Sequence, residues 1–240
     1  MTKRSLTIMQ LYPRDMNIYG DHGNLLTLKR RAQWHGYNVE IVEYNPGDSF
    51  PDHVDIVIGG GGQDSGQDKI QKDLQKIGPK LIKLAEADAP MLVICGLYQL
   101  FGKFFKTQDG HVIPGISLLD VETIAGPERL IGNIVTSSEQ FGDIIGYENH
   151  SGQTFLGKNV EPLGTVTRGA GNNGQDDFEG ARHRNVIGSY LHGSLLPKNP
   201  SIADWMIEQA ATKRYGDFTP KPINDQFANR AREYAAKRPR

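Results

Sequence analysis

Apolar residues recur with two different periods along the first hundred residues of the chain. Four short apolar or alternating runs are typical of strands, and they cover residues 6–12, 38–44, 54–58 and 91–94. Three segments with apolar residues three and four positions apart are typical of helices, and they cover residues 21–36, 70–88 and 96 to about 105. Strands that alternate with helices favour right-handed crossovers and a parallel sheet, which binds ligands at the carboxyl ends of its strands.

The second half of the chain has a different pattern. Short β-rich runs, punctuated by Gly, Asn and Asp, cover residues 118–124, 130–137 and 186–191, and an amphipathic helix is predicted over 200–215. No linker separates the two halves. We therefore predict one α/β domain over residues 1–217, with a mostly parallel twisted sheet flanked by helices. A basic tail over residues 218–240 is a candidate docked helix.

Charge and composition narrow the class of protein. The 240 residues carry 27 Lys and Arg against 28 Asp and Glu. The net charge of −1 therefore creates no overall positive potential that would attract nucleic acid or an anionic membrane. No apolar run is long enough to span a membrane, and we identify no signal peptide. The single cysteine excludes an intrachain disulfide and a cysteine-based zinc site, and we expect a cytoplasmic location.

The only cysteine stands where a nucleophile is expected. Cys95 follows the apolar residues of a predicted strand and precedes Gly96, the start of a predicted helix, which is the setting that exposes a side chain at the edge of a sheet. Unpaired N–H groups and the helix dipole would stabilise a thiolate there. The alternative is a small buried apolar side chain at the end of a strand.

Four consecutive glycines, Gly59–Gly62, follow another predicted strand. Such a run allows close approach of the backbone to a ligand. We predict an oxyanion hole with N–H donors from Gly61 and Gly96, each donor contributing about 3–4 kcal/mol in acyl transfer. A phosphate cradle is the alternative use of a Gly-rich turn, but no Lys-Ser/Thr follows these glycines.

Among the seven histidines, His192 is the candidate base. It ends an apolar strand and can project from the same sheet edge as the cysteine. His150 is the competing candidate. A surface or hydrogen-bonded structural role is the default for the other histidines.

The order of these features, a Gly-rich turn, then Cys-Gly-x-x-Gln, then a late strand-terminal histidine, resembles that of class I glutamine amidotransferases. Within that class the chain resembles the branch related to cobyric acid synthase glutaminase domains, and more narrowly the glutaminase subunits of lipid II isoglutaminyl synthases, which act in peptidoglycan synthesis. The matching segments cover residues 17–21, 58–64, 94–99, 129–133, 146–152 and 189–200. The resemblance implies a flavodoxin-like fold.

The resemblance also implies catalytic roles and one departure. Cys95 would attack the side-chain amide of glutamine, and His192 would activate the thiol and protonate the departing nitrogen. The class places a Glu two residues after its histidine, where this chain has Ser194. A carboxylate from elsewhere in the chain, Asp21 or Glu148, would then orient the imidazole, or a partner protein would supply one. We favour the partner.

Three further positions carry substrate-binding roles under the resemblance. Gln99 and Gly60 would line the glutamine pocket. Arg129 would contact substrate, because its guanidinium fork suits the α-carboxylate of glutamine. From the residues alone, an ion pair between Arg129 and Glu128 or another acid has similar weight.

No ATP-binding motif appears in the chain, although amidation of a carboxylate needs activation. The resemblance implies no cofactor or metal on this chain, and a heterodimer with a MurT-like subunit, related to Mur ligases, that binds ATP, magnesium and lipid II. This chain would supply ammonia, and the partner would amidate D-glutamate of lipid II to D-isoglutamine.

Three other functions compete with this one. A glutaminase for another acceptor, such as a cobyrinic acid, keeps the chemistry, but those enzymes usually carry their ATP-binding domain on the same chain. A DJ-1-like cysteine hydrolase shares the nucleophile turn without requiring Arg129 or Gln99. A degenerate amidotransferase fold that only binds is favoured by the departure at Ser194.

Overall fold

The computed structural model describes residues 4–239, and its strands and helices follow the predicted alternation in the first half. The strands are β1 (Ser5–Leu11), β2 (Asn38–Tyr44), β3 (Ile56–Gly59), β4 (Met91–Ile94), β5 (Phe104–Lys106), β6 (Val112–Pro114), β7 (Val121–Ser138), β8 (Gly142–Leu156), β9 (Gly164–Arg168), β10 (Phe178–Glu179), β11 (Ala181–His183) and β12 (Val186–Ser189). The helices are α1 (His22–His35), α2 (Asp64–Glu86), α3 (Gly96–Phe101), α4 (Leu195–Lys198), α5 (Pro200–Tyr215) and α6 (Gln226–Lys237).

The first sheet is the mostly parallel one. Its strand order is β11-β12-β4-β3-β1-β2, and all neighbours are parallel except β11 and β12. Strands β3, β4 and β12 are buried along their whole length, as expected for parallel strands covered on both faces. Their carboxyl ends therefore meet at one edge, and the loops after them lie side by side.

The helices that cover this sheet bury apolar side chains. The longest, α2, buries Ile70, Leu74, Ile77 and Leu81 at steps of three and four residues. Helix α1 packs against α5, and α2 packs against α3. None of the helices within residues 4–239 is both long and apolar enough to cross a membrane.

The second sheet is largely antiparallel and is built around one long hairpin. Strands β7 and β8 pair over almost their whole length, and β9, β5, β6 and β10 extend the sheet. The two β-rich runs predicted at 118–124 and 130–137 are one strand, β7, with a register shift between Ala125 and Leu130. Pro127 lies in this irregularity and has no N–H for a ladder bond, which explains the break in the pattern.

One further difference separates the structure from the prediction. The helix after the cysteine ends at Phe101 rather than near residue 105, because Gly102 is extended and Phe104–Lys106 pairs with β6 and β7. In the tail, α6 contacts α4, β7 and β8, and Arg31 of α1 donates to Asp225 at 2.6 Å. The domain boundary at residue 217 remains a prediction.

Candidate active site

Cys95 occupies the turn between β4 and α3, at the carboxyl edge of the parallel sheet. Its φ of 50° and ψ of −106° lie in a region that L-residues rarely adopt, as in the strained turns that expose nucleophiles. Its N–H donates to the Ser189 carbonyl at 2.9 Å, and its carbonyl accepts from the Gln99 N–H, which fixes both peptide planes. The side chain is 6% exposed and lines a cavity of about 380 Å³.

Strand register brings the base to the nucleophile. Ser189 pairs with Ile94, so the loop after β12 lies beside the turn that carries Cys95. A Cβ added to Gly61 would lie 2.7 Å from His192 Cε1 and 3.2 Å from Cys95 Cβ. The side chains of Cys95 and His192 therefore face the same point, and only glycine leaves them room there.

His192 is buried, and its two ring nitrogens have different surroundings. Nδ1 lies 3.3 Å from the Asp21 carboxylate, while Nε2 has no hydrogen-bond partner among the described residues. Burial lowers the pKa of His192, but the negative charge of Cys95 and the hydrogen bond and charge of Asp21 outweigh it and raise the pKa to about 10. The imidazole is therefore held as a proton donor next to the sulfur.

Asp21 is the carboxylate beside the imidazole. It also accepts the Gly61 N–H at 2.7 Å, so one buried side chain ties the histidine to the Gly-rich turn. Ser194, at the position where the class has Glu, donates from Oγ to the Gly20 carbonyl and so joins the loop after β12 to the loop of Asp21. This geometry favours an orienting group from the chain itself over one supplied by a partner.

Glu148, the other intrachain candidate for the orienting role, is a buried residue of β8. It accepts hydrogen bonds from the N–H groups of Ala170 and Gly171 at 2.9–3.1 Å. Those bonds fix the loop after β9 against β8. The 3.3 Å contact with the His192 ring makes Asp21 the better orienting candidate.

Gly61, a predicted oxyanion donor, and Gly60, which was predicted to line the glutamine pocket, do not fit these roles. The Gly61 N–H is already bonded to Asp21, so it is not free to stabilise an oxyanion. Gly60 faces the Met16 carbonyl and Asp21, because a Cβ there would lie 2.6 Å from the former and 3.0 Å from the latter. Gly62 lines the cavity instead and lies against Gly96, so these two residues are the better candidates for backbone donors.

Gln99 lines the cavity at the centre of a buried chain of hydrogen bonds. Its Oε1 accepts from Gln67 Nε2 at 2.7 Å, and its Nε2 donates to the Tyr190 hydroxyl at 3.1 Å. Tyr190 in turn bonds Thr154 at 2.7 Å. The side-chain amide of Gln99 is therefore fixed in orientation below the cavity.

Arg129 lies on the cavity wall, in the irregular part of β7. Its Nε donates to Asn149 Oδ1 at 2.6 Å, and one terminal nitrogen donates to the Tyr19 hydroxyl at 3.2 Å. Its hydrogen bonds thus go to neutral groups rather than to Glu128, the ion-pair partner considered from the sequence. Tyr19 also contacts the His192 ring edge to face, with 4.9 Å between ring centroids.

His150 lines the same cavity but is a poor base. Burial lowers its pKa to about 3, and the charges of His192 and Arg129 add to this effect. Its ring stacks on Tyr190 with 3.5 Å between centroids. An imidazole that stays neutral in this way cannot hold a proton for a leaving group near neutral pH, which leaves His192 as the candidate.

Several residues of the site were not predicted or were given little weight. Tyr19, Asn149 and Gln67 line the cavity, yet Gln67 lies outside every matching segment and Tyr19 lies in the segment 17–21 with no role predicted for it. Asn149 lies in the segment 146–152, where the resemblance assigns no role to a single residue. Among residues 4–239, no group of three His, Cys, Asp or Glu side chains could hold a metal ion.

The arrangement has the parts required for acyl transfer. The Cys95 thiol and the Gly62 backbone line one cavity, and the His192 imidazole, with a carboxylate on its far nitrogen, and the Gly96 backbone lie next to them. A guanidinium at the cavity mouth can hold an anionic end of the ligand. The site is therefore suited to cleave a carboxamide or ester of a small anionic molecule.

Comparisons with known proteins agree with this chemistry. Residues 7–200 match the CobB/CobQ-like glutamine amidotransferase domain. The chain is 39% identical over 229 residues to the GatD subunit of the glutamine-hydrolysing lipid II isoglutaminyl synthase of Staphylococcus aureus, covering 95% of this chain and 93% of that one. The same subunit of Streptococcus pneumoniae is 36% identical, with 96% and 90% covered.

A solved structure shows the same fold at low sequence identity. The crystal structure of a glutamine amidotransferase from Thermotoga maritima superposes with a TM-score of 0.57 at 13% identity, over 97% of this chain and 94% of that chain. At that identity the likeness extends to the architecture, a mostly parallel sheet flanked by helices.

Proposed function

The chain belongs to the CobB/CobQ-like glutamine amidotransferase family, and from that premise we propose that it is the glutaminase subunit of a lipid II isoglutaminyl synthase. The observation that carries the proposal is the shared cavity of Cys95 with His192 beside it, in a chain similar to GatD subunits over nearly its whole length. The substrate is L-glutamine, and the products are glutamate and ammonia.

The first half of the reaction releases ammonia. The Cys95 thiolate adds to the carbonyl carbon of the glutamine side-chain amide, and the C=O electron pair moves onto oxygen. The N–H groups of Gly62 and Gly96 stabilise that oxyanion, each contributing about 3–4 kcal/mol. His192 gives its proton to the amide nitrogen, the C–N bond breaks, and ammonia leaves a glutamyl thioester on the sulfur.

The second half restores the enzyme. His192, now neutral, takes a proton from water as the water oxygen adds to the thioester carbonyl. The C–S bond then breaks and releases glutamate, while the thiolate and the protonated imidazole form again. Asp21 keeps the imidazole oriented through both halves, because it contacts Nδ1 and leaves Nε2 for the reaction.

Arg129 binds the α-carboxylate of glutamine in this proposal. Asn149 and Tyr19 hold the guanidinium at the cavity wall, where its remaining N–H groups can face the substrate. Gln99, fixed below the cavity, shapes the pocket around the aliphatic part of the substrate. Bidentate recognition of a carboxylate suits arginine better than lysine.

The ammonia acceptor lies on a partner subunit. We propose a MurT-like subunit related to Mur ligases, which binds ATP with magnesium and lipid II, so that this chain needs no cofactor of its own. The GatD proteins similar to this chain are named as subunits, which supports a partner. The partner amidates the D-glutamate α-carboxylate to D-isoglutamine, and its need for ATP locates the reaction in the cytoplasm.

A cobyrinic acid is the second candidate acceptor, favoured by the family to which the domain belongs. The glutaminase chemistry is identical in the two cases, so the acceptor must be tested directly. A simpler assay distinguishes a glutaminase from a DJ-1-like cysteine hydrolase. L-glutamine should protect Cys95 from alkylation if the chain is a glutaminase, and should not protect it if the chain is such a hydrolase.

The proposed function is tested by following the amide nitrogen. The chain is purified with a candidate Mur-ligase-like subunit and supplied with ATP, magnesium, lipid II and glutamine labelled with ¹⁵N in the side-chain amide. We expect ¹⁵N in the D-isoglutamine of the product and none with Cys95→Ala. Labelled ammonia without labelled product would remove lipid II as acceptor and retain the glutaminase.

A further inference from the structure

Helix α6 presents a row of alternating aromatic and cationic side chains to solvent. The row runs at steps of three and four residues, so its members lie on one side of the helix: Phe227, Arg230, Tyr234 and Lys237. Phe227 is 80% and Tyr234 61% exposed, the two largest exposed fractions among the large apolar side chains of residues 4–239. No residue of α6 is buried, and the proposed reaction uses none of this row.

A second row, on α1, lies beside the first. Leu26, Arg30 and Trp34 are four residues apart on one side of α1, and all three are exposed. These three residues and Phe227 line the same groove between the two helices. The two rows therefore form one surface, which we call the α1–α6 face.

The α1–α6 face is positively charged, although the whole chain carries a net charge of −1. Helix α1 contains no acidic residue, and α6 contains one, Glu233. Arg30, Arg230 and Lys237 form no ion pair with any other residue of the range 4–239. Their charges are therefore available to an anionic ligand.

The cations of this face lie beside its rings. The Arg30 guanidinium is 5.4 Å from the centroid of the Trp34 ring, and that of Arg230 is 5.8 Å from the centroid of Tyr234. Aromatic side chains next to cations are typical of helices that lie in the interface of a membrane. The rings fit the level of the lipid headgroups, and the cations attract anionic headgroups.

We propose that the α1–α6 face binds the surface of a membrane that contains anionic lipids. Trp34, Phe227 and Tyr234 enter the headgroup region, and Arg30, Arg230 and Lys237 contact the headgroup anions. This inference goes beyond the proposed function and rests on it only for its purpose, since the acceptor proposed there is linked to a lipid. Contact with the membrane would hold the glutaminase beside that acceptor. Binding through one such face is reversible.

An acidic protein surface is the alternative ligand for a basic face. A stable protein interface buries about 800 Å² on each partner with close shape complementarity, and its core is depleted of charged residues. The α1–α6 face instead has a cation beside each row of rings, on helices that project side chains singly. A fluid lipid surface adapts to such rows, so charge and composition together favour the membrane.

The test is co-sedimentation of the full-length chain with lipid vesicles. Vesicles of equal parts phosphatidylcholine and phosphatidylglycerol should bind the wild type at least about tenfold more tightly than phosphatidylcholine vesicles, and added salt should weaken this binding. The double variant Arg230→Gln with Lys237→Gln should bind the anionic vesicles about tenfold more weakly, because each lost cation lowers the affinity severalfold. Phe227→Ser with Tyr234→Ser should lose about tenfold as well, because the rings no longer enter the headgroup region.

Matched controls remove the same groups from other surfaces. Lys72→Gln with Lys76→Gln takes two charges from exposed positions of α2, and Phe178→Ser takes an exposed aromatic ring from β10. Both should bind the anionic vesicles like the wild type. Every substituted side chain is exposed, so thermal melting of all variants should give the Tm of the wild type.

Three results would overturn the inference. The first is a wild type that does not prefer anionic vesicles. The second is full vesicle binding by both α6 double variants, which would place the membrane contact elsewhere. The third is full vesicle binding together with lost co-purification of a Mur-ligase-like subunit, which would make the α1–α6 face a protein interface.

Vesicle binding needs no turnover, so it separates this inference from the function on which its purpose rests. If the wild type binds anionic vesicles but the assembled enzyme does not amidate lipid II, the membrane contact stands and the proposed acceptor is wrong. If the assembled enzyme amidates lipid II and the chain binds no vesicles, the proposed function stands and the membrane contact is wrong.

Discussion

The parallel sheet and the β7–β8 hairpin contribute to the cavity in different ways. The sheet edge supplies Cys95 and His192 from adjacent strands, buried and fixed by backbone pairing. The hairpin supplies Arg129 and Asn149, which are more exposed and are held by side-chain hydrogen bonds. In the proposed reaction, the groups that change bonds are thus fixed by backbone pairing, and the groups that select the ligand are held by side-chain contacts on the second sheet.

This division predicts two classes of mutational effect. Changes at the sheet edge should lower kcat, because they remove interactions made in the transition state. Changes on the hairpin should raise KM, because they remove binding that substrate and transition state share.

Loss of the nucleophile should have the largest effect. Cys95→Ala should lower glutamine-dependent ammonia release by about 10⁴-fold or more, because no thioester can form. Glutamine binding, measured by calorimetry, should stay within about threefold of wild type, because Arg129 and the rest of the pocket are unchanged. If Cys95→Ala lost glutamine binding as strongly as activity, the sheet edge would also bind substrate, and the proposed division between a catalytic and a binding region would be wrong.

Loss of the orienting carboxylate should come next. Asp21→Asn should lower kcat by about 10²–10⁴-fold, as expected when an imidazole loses the carboxylate that fixes its tautomer. The pKa of His192, about 10 in the wild type, should fall, because Asp21 raises it by hydrogen bond and charge. Histidine titration by NMR gives this shift.

Asp15→Asn is the matched control for the orienting role, since Asp15 pairs with the exposed Lys69. A kcat for Asp21→Asn within about threefold of wild type in the assembled enzyme would instead indicate that the partner supplies the orienting group.

On the hairpin side, Arg129→Lys should raise the KM for glutamine by about 10–100-fold with kcat within about threefold, because an ammonium cannot reproduce the guanidinium fork. Steady-state kinetics with glutamine gives the split. The control Arg30→Lys, on the outer surface of α1, should change neither the KM nor the kcat for glutamine. A fall in kcat at unchanged KM would show that Arg129 acts in the chemical step, like the residues of the sheet edge, rather than in substrate binding.

The smallest effect concerns pH and stability beneath β12. Glu179 accepts from Ser189 Oγ and the Tyr190 N–H, and burial raises its pKa to about 7. A carboxyl with a raised pKa stabilises the fold fully below its unfolded pKa of about 4.5, and this contribution is lost as pH rises toward 7.

Urea unfolding should therefore show wild-type stability falling across that range by up to a few kcal/mol relative to Glu179→Gln, which has no such carboxyl. Parallel stability curves for the two proteins would show that Glu179 is ionised in the folded state.

The sequence analysis predicted the sheet edge well because its signals are local. The apolar run before Cys95 and the glycines after β3 define strand, turn and helix within about ten residues. A local pattern does not show which glycine N–H is free, because this depends on residues far away in the chain. Asp21 accepts the hydrogen bond of the Gly61 N–H, and the two residues are 40 positions apart.

The hairpin was less predictable for the same reason. Its β-rich runs were identified, but their pairing is long-range, and the irregularity between Ala125 and Leu130 made one strand look like two. The contacts of Arg129 with Tyr19 and of Gln67 with Gln99 join segments far apart in sequence. No periodicity reports such contacts.

The central claim, that Cys95 forms a glutamyl thioester, is tested most directly by mass spectrometry of the quenched protein and of its peptides after digestion in acid. The assembled enzyme is mixed with L-glutamine and quenched in acid during turnover. We predict an added mass of one glutamyl group on the peptide that contains Cys95, released by hydroxylamine and absent from Cys95→Ala. Ammonia release at the wild-type rate by Cys95→Ala, with no adduct in either protein, would contradict the account.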